Sequence, residues 1–62
     1  MKYVVYFENT STSDSLISYS KKQTEREVAD LLLDNYKVTR ICRIVNGEYV
    51  PIDLTPYLCY AR

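Results

Sequence analysis

The sequence predicts an α+β domain of order ββαββ, an antiparallel sheet with one helix packed on one face. Three observations carry that expectation. Asn46-Gly47 lies between two β-type runs and is the strongest short hairpin signal a chain can offer. Thr24 to Asn35, TEREVADLLLDN, has helical periodicity and contains no Gly or Pro. Lys2 to Glu8 and Lys37 to Val45 are rich in aromatic and β-branched residues.

Lys2 to Glu8, KYVVYFE, sets Tyr3, Val5 and Phe7 on one face of a strand and Val4 and Tyr6 on the other. Both faces are apolar, so this strand is expected to be central or to be covered on its second face. Asn9 to Asp14, NTSTSD, is turn chemistry, with short polar side chains that bond their own backbone. Ser15 to Ser20, SLISYS, returns as the second strand, with Leu16 and Ser18 on one face and Ile17 and Tyr19 on the other. Ser20 to Gln23 then forms a solvated bridge to the helix.

Thr24 and Glu27 have the spacing of a capping box, and Ser20 with Gln23 offers a second one a turn earlier. Glu25 and Glu27 place negative charge near the positive end of the helix dipole. At about 100° per residue, Val28, Leu31, Leu32, Tyr36, Ala29 and Leu33 fan over roughly 200° of the surface. Arg26, Glu27, Asp30 and Asp34 fill the remainder. One sheet covers a stripe of little more than about 100°, so something else must cover the surplus. That points to binding rather than chemistry. Ala29, Leu32, Leu33 and Tyr36 are the expected dimerisation surface. Glu27, Asp30, Leu31, Leu33, Asp34 and Tyr36 are the expected contacts with a partner protein.

Asn35 is the expected helix stop, because Asn tolerates the left-handed conformation. Lys37 to Val45, KVTRICRIV, alternates Val38, Arg40, Cys42 and Ile44 against Thr39, Ile41, Arg43 and Val45, one arginine to each face. Glu48 to Asp53, EYVPID, reads as the fourth strand, and Pro51, which lacks a donor, places it at a sheet edge. The chain is expected to be a single domain, 1–62, with a core over 1–53 and an apolar tail over 54–62. Thr55-Pro56 suits the start of a helical turn. Leu54, Tyr57, Leu58 and Tyr60 are too apolar to be left in water, so the tail should fold onto the core or onto a second subunit.

Eight basic and eight acidic residues cancel. That leaves no global basic field for phosphates, so nucleic acid is not the expected partner, and too little negative charge for a charge-for-charge mimic of DNA. Without histidine the chain lacks the usual general base near neutral pH. It has no Gly-rich phosphate loop and no nucleophile elbow. The acidic pairs Glu27 with Asp30 and Asp30 with Asp34 read as a solvated helix face. The chain is therefore expected not to be an enzyme and to use no cofactor. Cys42 and Cys59, with no histidine and no second cysteine pair, do not supply the ligand set of a zinc site, so no metal is expected. They suit small buried hydrophobes in a cytoplasmic protein, or a disulfide in an exported one. Met1-Lys2 leads straight into a strand, and no apolar run approaches the roughly 20 residues of a membrane span. The cytoplasm is the expected location.

Two function classes compete. Arg40, Arg43, Lys21 and Lys22 with interleaved tyrosines suggest a sheet-based binder of single-stranded nucleic acid, although the two arginines point to opposite faces. A protein-binding module uses more of the sequence. Seven tyrosines suit an interface as well as a small sheet, and pairing with a second copy enlarges a small core.

YVVYFE, SLISYS, EREVADLLLDNY and KVTRICRIV, over about residues 3 to 45, together resemble the small dimeric uracil-DNA glycosylase inhibitors of podovirus-type Bacillus phages. The match is one of architecture: a tyrosine-bearing hairpin, a short acidic amphipathic helix, then a strand alternating basic and apolar residues. The resemblance implies a homodimer in the host cytoplasm that mimics DNA and blocks the DNA-binding cleft of the glycosylase. Glu27, Asp30 and Asp34 would stand in for phosphates, and Leu31, Leu32, Leu33 and Tyr36 would supply an apolar pocket. This chain departs from the family in having leucines and Tyr36 where the family helix carries a Phe. The Asn-Gly hairpin and the tail also lie beyond the match. The alternative within the same class is a small phage regulator or anti-defence protein that binds another host protein through this helix.

Overall fold

A computed structural model describes residues 1–58. Its elements are β1 (Lys2–Glu8), β2 (Ser13–Ser18), α1 (Lys21–Leu33), β3 (Lys37–Val45), β4 (Glu48–Ile52) and α2 (Thr55–Leu58). The four strands form one antiparallel sheet in the order β2-β1-β3-β4. The expected ββαββ arrangement is therefore present, with β1 central and the Pro51 strand at an edge. Pro51 stands opposite Cys42, where an inner strand would have needed its missing donor.

Local chemistry accounts for the turns. In the β1–β2 hairpin the Asn9 carboxamide oxygen accepts from the backbone N–H groups of Ser11 and Thr12, both at 2.8 Å. Asn46 and Gly47 join β3 to β4 with φ of 51° and 80°, the left-handed pair that a tight two-residue hairpin requires. The second strand begins at Ser13, two residues earlier than expected, and ends at Ser18. The residues that follow it are needed to cap the helix.

That helix also begins earlier than the Thr24 box suggests. Ser20 is the N-cap, its hydroxyl accepting from Gln23 N–H at 3.0 Å, while the Gln23 side chain reaches back to Tyr19 N–H at 3.1 Å. Thr24 is thus an interior residue, fully buried. Its hydroxyl donates to the Ser20 carbonyl at 2.8 Å, which leaves the buried Ser18 hydroxyl as donor to Thr24 Oγ1. Both polar groups are satisfied, as burial demands. Glu25 and Glu27 consequently fall beyond the first turn, which holds no acidic residue. At the other end Asn35 adopts φ 65°. Tyr36 N–H donates to the Leu31 carbonyl at 3.0 Å and Asn35 N–H to the Leu32 carbonyl at 3.2 Å. This is a Schellman stop, and it turns Tyr36 back so that its ring meets Phe7 edge-on at 5.1 Å.

One buried cluster unites sheet and helix: Tyr3, Val5, Val38 and Ile41 from the strands, Val28 and Leu31 from α1, and Tyr57 from α2. Val38 belongs to it because β3 does not alternate strictly. Tyr6 stands opposite Arg40 but Phe7 opposite Val38, so Thr39 is an extra, bulged residue. The bulge flips the phase and brings Val38 onto the helix side with Ile41, whereas strict alternation would put it with Arg40. Two arginines on opposite faces survive this correction: Arg43 shares the helix side with Tyr3, and Arg40 lies on the other.

The tail supplies the missing cover. Asp53 Oδ1 accepts from Thr55 N–H at 3.0 Å, starting α2, and this bond holds the Asp53 carboxyl below its usual range. Leu54 packs against the core and Tyr57 enters it beside α1. Of the apolar tail residues, Leu54 and Tyr57 thus lie against the core, while Leu58 is exposed. Tyr60, and any pairing of Cys42 with Cys59, lie outside the described residues.

Candidate functional site

Two surfaces remain once the core is closed: the outer side of α1 and the uncovered side of the sheet. The outer side of α1 is what is left of the partner contact expected from sequence. Leu31 is buried in the core, and Leu32 and Tyr36 pack partly buried against it. The apolar surplus on α1 is thus largely taken up within the chain by Leu54 and Tyr57, and Leu31 offers nothing to a partner. Ala29 and Glu27 are half-buried, while Asp30 and Asp34 are exposed. Leu33 is 75% exposed. At about 100° per residue, Arg26, Leu33 and Asp30 fall within roughly 60° of one another, with Asp34 and Glu27 on one flank and Ala29 on the other. A large apolar side chain therefore stands in water beside a row of carboxylates.

The charges on α1 run against its dipole. Lys21 and Lys22 occupy the first turn, where acidic residues are favoured, while Asp30 lies in the last turn, which has no basic residue, and Asp34 at the C-cap. Asp30 and Asp34 are also like charges one turn apart. Beside them an open recess of about 540 Å³ is lined by Asp34, Asn35, Glu8, Asn9, Thr10 and Lys37. Its groups are exposed and polar, with no nucleophile paired to a base. Among the described residues, no group of three or more potential metal ligands comes together.

The second surface follows from the sheet register. Opposite the helix, a central row runs Ile17, Val4, Cys42, Pro51 across the four strands. Val4 and Cys42 in its middle are only 4% and 3% exposed, while Ile17 at its edge is 49% exposed. One neighbouring row is Lys2, Ile44, Tyr49, and the other is Ser15, Tyr6, Arg40. A last row pairs Glu8 with Lys37 and Ser13. No described element packs on this side, since α1 meets the three strands β1, β2 and β3 from the other and α2 meets α1. The apolar second face of β1 noted in the sequence is therefore real. Its expected cover is not among the described residues. The sequence signalled the apolarity but could not show that α1, the longest helix among the described residues, would be spent on the other face.

Comparison of the chain with protein-family models, with curated proteins and with solved structures finds no match. No helix among the described residues is long and apolar enough to cross a membrane.

Proposed function

We propose that this chain is a non-catalytic inhibitor that binds a host DNA-processing enzyme through the outer side of α1, with uracil-DNA glycosylase as the target named by the resemblance. The observation that carries the proposal is the placement of Asp30 and Asp34 beside exposed Leu33 at the negative end of the helix. Each acid there costs roughly 0.3–1 kcal/mol of helix stability. Charges that weaken their own helix are expected where they serve a partner. In this proposal Asp30, Asp34 and Glu27 meet the phosphate-binding groups of the enzyme cleft, and Leu33 fills the site of an apolar contact. A second copy would join through Leu33 and Ala29. So small an apolar seam supports only weak, concentration-dependent association. The cytoplasm of the host cell is the compartment the proposal requires.

The test is a uracil-excision assay with purified glycosylase and increasing amounts of this protein. Stoichiometric inhibition is expected, lost by at least tenfold in Asp30→Lys and in Glu27→Lys while circular dichroism stays unchanged. Undiminished excision at a large excess of the protein would falsify the choice of target. Retained inhibition in both variants would remove the role given to the carboxylates.

A further inference from the structure

The geometry points to the uncovered side of the sheet as a binding site for single-stranded nucleic acid, separate from the helix surface. The chain is neutral as a whole, but its charge is not evenly spread. The three rows centred on Val4 and Cys42 contain Lys2 and Arg40 and no acidic residue, and the fourth row of this side adds Lys37 beside Glu8, whereas four carboxylates, Glu25, Glu27, Asp30 and Asp34, lie on α1. Arg40 stands directly across from Tyr6. Tyr49, 57% exposed, occupies the diagonal corner. From strand and residue spacings the two tyrosines are roughly 16 Å apart, room for a few nucleotides between them.

Aromatic rings on a sheet hold unstacked bases by their faces, and neighbouring cations hold the phosphates. A duplex keeps its bases stacked and offers the rings no such faces. Ile17 and Pro51, the exposed ends of the central row, offer ribose and base edges an apolar contact that demands no sequence. A second copy of the chain suits this side less well. It would bring another Lys2, Arg40 and Lys37 into a closed apolar seam where Glu8 is the one strand carboxylate on that side, leaving cations unpaired, and buried unpaired charge is costly. Global neutrality is no obstacle to a site with two cations. It sets the salt dependence instead, since two phosphate contacts give a log–log slope of about −1.4 for a single strand.

The experiment is fluorescence anisotropy of a labelled oligothymidylate of about twelve nucleotides, titrated with the intact chain at low salt and then over a salt series. Saturable binding with a slope between about −1 and −2 is expected. Tyr49→Ala and Arg40→Gln, both at exposed positions, should each weaken it by about fivefold or more. Arg43→Gln, on the same strand but facing the helix side, should leave it unchanged. Absence of saturable binding at low salt overturns the proposal, as does equal loss in Arg40→Gln and Arg43→Gln. A stable dimer in sedimentation that Ile17→Lys dissociates would also overturn it, by assigning this side to a second copy. Glycosylase inhibition reads α1 alone, so either proposal can fail without the other.

Discussion

Asp34 puts two demands on one side chain. It sits at the C-cap of α1, beside the carbonyls Asn35 and Tyr36 bond to, and one turn beyond Asp30. Asp34→Lys replaces repulsion by attraction to the helix end and should raise stability by about 0.5 kcal/mol or more. A urea titration checks this. If the carboxylate serves a partner, the same variant inhibits the glycosylase less, so stability and activity move in opposite directions. Single residues were the hardest things to place from sequence. Thr24 and Ser20 both begin plausible capping boxes, and only the burial of Thr24 against Ser18 separates them. Leu31 and Leu33 are identical in type and two positions apart, yet one is core and the other is the most exposed leucine on α1. The helical wheel placed both inside one broad apolar fan, and which edge of the fan meets the sheet is decided by the rest of the fold.

At the scale of elements, β1 and β3 were legible to the residue because β-branched and aromatic runs end in strong turn chemistry. The serine-rich β2 carries little alternation, so its position slid by two residues. The β3–β4 hairpin rests on backbone conformation alone at Gly47. A Cβ built there meets nothing within 4 Å, yet φ is +80°. Gly47→Ala should therefore lower stability by about 1 kcal/mol without any clash. An unfolding midpoint that does not move would show that the turn relaxes. The cover over α1 was half legible: an apolar tail had to go somewhere, but its placement beside α1 is a contact between elements far apart in sequence. A sheet surface with Arg40 and tyrosines was legible as a candidate, but which side α1 would leave open was not, for the same reason.

For the whole molecule, Tyr57 ties the tail into the fold and also makes it sensitive to alkali. Burial, then the proximity of Tyr3 and Glu25, pushes its hydroxyl pKa above the usual tyrosine value. A raised folded-state pKa favours the protonated form. Its contribution is complete below the unfolded value of about 10 and is lost as pH rises through the folded value. Stability should fall above about pH 10, and Tyr57→Phe should flatten that fall; identical pH profiles for the two proteins would rule Tyr57 out as its origin. Both surfaces depend in turn on one supernumerary residue. Thr39 bulges between Val38 and Arg40, so β3 is written in two phases, one before it and one after. Replacing Thr39 changes a letter and leaves the phases intact. Deleting it acts like a frameshift confined to one strand: Val38 would exchange its buried side for the open one, or every residue from Arg40 to Val45 would trade sides instead. This protein's lineage can therefore drift in the identity of residue 39 far more freely than it can lose it.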